Sequence, residues 1–126
     1  MLRYDGDRIE ITRGDACTIT IKCTSDRDDD IFHVNDKIQF AVYKKKELNK
    51  QPVLYKEVTI NQDTKIVDIP LSSSDTKIGE MSNKPIDYWY EIQLNKECTL
   101  VGYDRNGEKV LRLYPEGADL EWIIVE

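Results

Sequence analysis

Asp87-Tyr88-Trp89-Tyr90-Glu91-Ile92-Gln93-Leu94 is the segment that most restricts how this chain can fold. Tyr88, Tyr90, Ile92 and Leu94 alternate strictly with Asp87, Trp89, Glu91 and Gln93. Successive side chains of a strand point to opposite faces, so four large groups share one buried face. Aromatic and β-branched side chains suit a pleated, half-buried surface. The segment reads as a central strand of a β-sandwich.

Taken in order, the rest of the chain supplies partners for that strand. Arg8 to Thr12 reads as a short strand with Ile9 and Ile11 inward, ended by Arg13-Gly14-Asp15. Cys17 to Cys23 alternates cleanly, with Thr18, Thr20 and Lys22 outward. Asn35-Asp36 signals a turn into a strand on which Ile38, Phe40 and Val42 share a face. Pro52 opens Val53 to Ile60, where Lys56 sits on the parity of Leu54, Val58 and Ile60. An edge strand accounts for that, because an edge tolerates a leading proline and a lysine on its face. Val67, Ile69 and Leu71 face one way in Ile66 to Leu71.

Ser72 to Gly79 reads as one helical turn crossing between sheets, with a serine cap, Ile78 in the core and Gly79 as terminator. Cys98 to Tyr103 and Glu108 to Tyr114 flank Asn106-Gly107, a strong hairpin signal because both turn residues accept positive φ. Leu120, Trp122 and Ile124 mark a closing strand. The expectation is one all-β domain spanning 1–126, an antiparallel sandwich of about nine strands with one short helical turn. Ile19, Ile21, Phe40, Val42, Val67, Ile69, Tyr90, Ile92 and Leu94 are its expected core.

Composition narrows the partners. The chain has 126 residues, room for one core. With 18 basic and 24 acidic residues its net charge is −6, which argues against nucleic acid or an anionic membrane. No apolar run approaches the roughly 20 residues of a membrane span. Met1 to Asp7 lacks the apolar core of a secretory signal, so synthesis in the cytoplasm is expected. Cys17 and Cys23 on one strand would lie about 20 Å apart, too far to bridge. They read as small buried hydrophobes, and Cys98 could pair with either across strands.

The chemical motifs are weak. Asp26, Asp28 and Asp30 imitate the start of an EF-hand loop, but Ile31 stands where glycine is needed and Lys37 where glutamate belongs. Arg13-Gly14-Asp15 spells an adhesion tripeptide, yet its glycine and aspartate have a local task at a turn. His33 is the single histidine, which rules out a two-histidine zinc site. Ser72 to Ser74 lack a nucleophile elbow, and Lys44 to Lys46 are a short solvated run. No phosphate-binding glycine loop is present, so neither a catalytic residue, a metal site nor a cofactor is expected. Trp89 is more informative, because it occupies the face opposite the apolar one. With Val53, Tyr55 and Glu57 on the expected edge strand, it forms the set of candidate contact residues.

A family likeness follows from the order of these pieces. Gly14-Asp15 precedes an alternating strand, and Asn35-Asp36 precedes Lys37-Ile38-Gln39-Phe40-Ala41-Val42. Pro52-Val53-Leu54, Leu71 to Thr76 and Tyr88-Trp89-Tyr90-Glu91-Ile92-Gln93-Leu94 come next. Over residues 9 to 125 this run resembles the immunoglobulin-like domains of phage and prophage structural proteins, such as the N-terminal domain of baseplate upper proteins. The chain departs from them at Pro85-Ile86, where the family places a glycine, and in a longer Asn106-Gly107 hairpin. The resemblance implies a non-catalytic building block of a tail, baseplate or head, joined to other virion or host structural proteins or to itself. It implies residence in the virion after assembly. The alternative is a carbohydrate- or calcium-binding β-sandwich module using Trp89 or the aspartate loop.

Overall fold

A computed structural model describes residues 2–5, 8–23, 31–44, 51–81, 83–101 and 110–115, without the side chains of 98–101. Nine strands are present: β1 (Leu2–Asp5), β2 (Arg8–Thr12), β3 (Cys17–Lys22), β4 (Lys37–Tyr43), β5 (Leu54–Thr59), β6 (Ile66–Leu71), β7 (Ile86–Leu94), β8 (Cys98–Val101) and β9 (Val110–Tyr114). They form a large sheet ordered β1-β2-β9-β7-β4-β5, with β8 also on β7, and a two-stranded sheet of β3 and β6. The fold is all-β and sandwich-like, and the described residues contain no helix.

β7 is central, as its alternation predicts. β4 takes one of its edges from Trp89 to Leu94. The other edge is divided between β9, opposite 86–89, and β8, opposite 92–94. Both run antiparallel to β7, so β8 and β9 are two halves of one line along it. Of the segments flanking the expected Asn106-Gly107 hairpin, the described parts, 98–101 and 110–114, both pair with β7. The turn itself lies outside the described residues, as does the closing strand around Trp122. Among the described residues a tight hairpin joins β7 to β8 through Asn95 (φ 54°) and Lys96 (φ 59°), closed by Glu97 N–H to Leu94 C=O at 3.0 Å. Two positive φ values match the right-handed twist of the strands, and asparagine tolerates them.

The sheet is mixed rather than purely antiparallel, because β2 and β9 pair in parallel, Ile9 opposite Leu111 and Ile11 opposite Leu113. A parallel pair needs a long connection between its strands. Here almost the whole domain intervenes, so no local signal could announce it. β1, with Leu2 and Tyr4 alternating against Arg3 and Asp5, forms an antiparallel pair with β2.

Both margins of the wider sheet make contact with the side formed by the two-stranded one. On one side the Tyr4 hydroxyl accepts the Thr20 N–H at 3.1 Å. On the other, Lys56 Nζ reaches Asp75 Oδ2 at 3.0 Å. That ion pair explains a lysine on the inward parity of β5: its stem lies over the core and its head meets a carboxylate at the rim. Of the nine expected core residues, seven are buried, while Ile21 and Leu94 pack half-buried at the margin.

The 72–79 segment is a hydrogen-bonded turn and not a helical element. Thr76 N–H reaches Ser72 C=O at 3.3 Å and Lys77 N–H reaches Ser74 C=O at 3.3 Å, and there the pattern ends. Side chains replace the helical bonds. Asp75 Oδ2 accepts the Ser72 N–H, and Ser72 Oγ accepts the Asp75 N–H. Bonds from the Ser72 N–H and Lys56 hold the Asp75 carboxyl below its usual range. Thr76, fully buried, accepts the Gly14 N–H at 2.9 Å and donates to Asp15 C=O at 2.9 Å. Gly14 has φ 86°, so its glycine serves the turn as the sequence suggests. Ile78 is buried in the core, and Gly79 has φ 66°.

Candidate interaction surface

Strand register places three of the four candidate contact residues, Trp89, Tyr55 and Glu57, on one face. Trp89 lies opposite Tyr43, Glu91 opposite Ala41, and Gln93 opposite Gln39 across β7 and β4. Ala41 in turn lies opposite Tyr55, and Gln39 opposite Glu57, across β4 and β5. Val53 stands in the bend just before β5, its N–H on Val42 C=O at 2.7 Å. The outward face of β7-β4-β5 thus carries Trp89 at one side and Tyr55 and Glu57 at the other, two strand spacings or about 10 Å apart. Trp89 is half-buried, whereas Val53 and Tyr55 are exposed at 43% and 45%.

Two residues that sequence reasoning passed over tie this face together. Gln39 is buried, and its amide donates to Glu57 Oε2 at 3.2 Å while its oxygen accepts the Lys96 N–H at 2.9 Å. The Tyr55 hydroxyl also donates to Glu57 Oε2, at 3.2 Å. The Gln39 bond, with help from Tyr55, Lys37 and Lys96, holds the Glu57 carboxyl below its ordinary range, so it is ionised at neutral pH. Lys37, Gln39, Glu57, Asn95 and Lys96 surround a shallow cavity of about 240 Å³. Asparagine directly after a strand was the available signal for this end of the face, through its turn preference.

Glu91 is the second. It sits on the outward face of β7 with 7% exposure, and burial raises its carboxyl above the usual range. A folded-state value above the unfolded one favours folding below the unfolded value. That benefit is lost as pH rises through the folded value. Glu91→Gln is therefore expected to melt above the parent at pH 7, with the advantage vanishing in mild acid. Parallel melts at both pH values check this, and an equal gain at both would contradict it.

The edge of β5 is the other feature of the surface. Asn95 N–H bonds Lys37 C=O, which assigns the backbone groups of 37, 39, 41 and 43 to β7. Those of 38, 40 and 42 then serve β5, and Ile60 N–H to Asp36 C=O at 2.8 Å keeps the same phase. Consequently 54, 56 and 58 bond β4, and Tyr55, Glu57 and Thr59 point their N–H and C=O groups away from the sheet. β5 has no other neighbour among the described strands, as its expected edge position requires.

The remaining candidates are dispersed. Cys17 and Cys23 pack half-buried against the core, and burial raises the Cys17 thiol. The Cys98 side chain and the Asp26–Asp30 loop lie outside the described residues. His33 Nδ1 stands 3.9 Å from Asp63, both exposed. Among the described residues no three His, Cys, Asp or Glu side chains are grouped to hold a metal ion, and no helix is long and apolar enough to cross a membrane. Comparison of the chain with protein-family models, with curated proteins and with solved structures finds no match.

Proposed function

We propose that this protein is a non-catalytic structural module of a phage or prophage virion, a tail, baseplate or head accessory with an immunoglobulin-like fold. It works by protein–protein contact through the β5 edge and the adjoining outward face. Its partners are other virion or host structural proteins or further copies of itself, and neither nucleic acid nor membrane is among them. It is made in the bacterial cytoplasm and ends in the virion.

The observation that carries the reading is the gathering of Trp89, Tyr55 and Glu57 on one face, with Val53 exposed beside it, that ends at a strand edge without a partner among the described residues. Unpaired backbone groups are a template for a partner strand. Topology supports the immunoglobulin-like part. The run β9-β7-β4-β5 has the order of the G, F, C and C′ strands, and β3 with β6 that of the B and E strands. The resembling motifs also fall on equivalent elements: Gly14-Asp15 before β3, Asn35-Asp36 before β4, and the tyrosine pattern on β7.

The test is co-sedimentation of the folded protein with the products of the genes flanking its own. Trp89→Ala and Glu57→Pro are each expected to weaken co-assembly about tenfold or more, the scale of one interface hot spot. Proline at 57 removes an N–H that points away from β4, so the parent sheet keeps its bonds. If both variants fold and assemble with unchanged affinity, the reading fails.

One observation favours a second reading. Trp89, Tyr43 and Tyr55 share their face with Gln39, Glu91 and Gln93, aromatic plates beside amide and carboxylate groups. That is the chemistry of a carbohydrate platform, and a change of tryptophan fluorescence on titration with oligosaccharides would support it.

A further inference from the structure

We propose that β5 pairs with β5 of a second copy of this chain, antiparallel, about a two-fold axis through Val58. The inference rests on the assignment of β5 as the contact edge and adds the partner and the register.

The other sheet edges are less open to strand addition. Cys23 N–H bonds Lys65 C=O at 2.8 Å, which turns the backbone groups of 66, 68 and 70 outward from β6. Position 70 is proline, so that edge lacks a donor, and Asp68 beside it carries a charge. On β3 the outward groups belong to 18, 20 and 22, and the Thr20 N–H is taken by the Tyr4 hydroxyl. β1 and β8 are only four residues long each. β5 offers Tyr55, Glu57 and Thr59 in succession.

A closed two-fold pair is self-complementary, so the axis must pass near the middle of those three. Hydrogen bonding requires outward residues to meet outward residues, which leaves axes through 56, 57 or 58. An axis through Glu57 sets that ionised carboxylate directly opposite its copy. An axis through Lys56 sets two ammonium side chains opposite each other at the closer, non-hydrogen-bonded spacing. Like charges so placed oppose pairing. An axis through Val58 brings two half-buried valines together, sets Glu57 opposite Thr59 of the copy and Lys56 opposite Ile60 of the copy. Only this register avoids both repulsions, and it extends the apolar margin of each core across the seam.

Opposed residues at a non-hydrogen-bonded site have Cα atoms about 4.5 Å apart, within disulfide reach. The test is therefore a cysteine scan at 56, 57 and 58 under mild oxidation, with Cys17, Cys23 and Cys98 changed to alanine. Val58→Cys is expected to give the dominant disulfide-linked dimer, and adding Glu57→Pro is expected to abolish it. Dimer formed mainly from Lys56→Cys or Glu57→Cys overturns the register, and no dimer from any position overturns the self-pairing. Sedimentation of the unaltered chain gives an independent measure, expected to show a dimer that Glu57→Pro converts to monomer. A chain that stays monomeric, yet loses co-assembly with other virion proteins on Glu57→Pro, refutes this inference and leaves the functional reading standing. Cross-linking at 58 with co-assembly unaffected does the reverse.

Discussion

Phe40→Ala is expected to lower the unfolding free energy by about 4 kcal/mol, within the span for emptying a buried aromatic site. Phe40 has no exposed surface and stands on β4 between Ile92 of β7 and Lys56 of β5. Its ring centroid lies 6.1 Å from that of Tyr90, tilted by 40°, an arrangement that adds about 1 kcal/mol beyond burial alone. Neighbours held in two sheets cannot collapse into the space, so the transfer loss and the cavity add. Domains of this size are stable by roughly 5–15 kcal/mol, and the variant would lose a large share of that. Urea titration checks it, as a fall in midpoint at an unchanged slope. Tyr55→Ala, on the exposed face of the neighbouring strand, is the comparison. A Phe40→Ala loss no larger than that of Tyr55→Ala would mean that the core is not centred on β4 and β7.

Gly79→Ala is the second large effect, at about 2–3 kcal/mol, and it has two separable causes. Gly79 has φ 66°, a left-handed conformation that costs other residues about 1–2 kcal/mol. A Cβ there would also stand 2.6 Å from the Tyr88 hydroxyl oxygen, closer than atoms of those types can approach. The Tyr88 ring is buried on β7, so relief requires the core or the loop to shift. The Gly79 carbonyl is further held by Arg13 Nη2 at 3.2 Å. A double-mutant cycle divides the loss. With Tyr88→Phe the hydroxyl is gone, and Gly79→Ala should then cost only the backbone part. Equal costs in both backgrounds would show that the contact contributes nothing.

The candidate surface was partly legible in the sequence. Trp89 on the polar parity of its strand, and Lys56 on the apolar parity of its own, each broke a simple pattern and were correctly placed on a face and at an edge. Gln39 and Glu91 were not singled out, because a polar residue on the outward face of a strand is what alternation expects. Gln39 is held by Glu57 of β5 and the Lys96 turn, and Glu91 lies across from Ala41 of β4, all remote in sequence. The Lys96 turn was missed because a lysine at positive φ has no compositional mark. Asn106-Gly107 carried a strong mark but lies outside the described residues, and the described parts of its flanking segments both meet β7.

What the sequence alone determined is the face each side chain takes. Period-two alternation in Cys17–Cys23, Lys37–Val42, Ile66–Leu71 and Asp87–Leu94 separates inward from outward groups without reference to any partner, since the pleat does so in every strand. What the tertiary structure decided is which strands meet. Backbone N–H and C=O groups are alike at every residue, so β7 can bond β4, β8 or β9 equally well by local chemistry. The choice falls to the arrangement that buries all the inward faces at once. That arrangement set β2 parallel to β9, placed β8 and β9 in line along one edge of β7, and left the outer edge of β5 without a partner among the described strands.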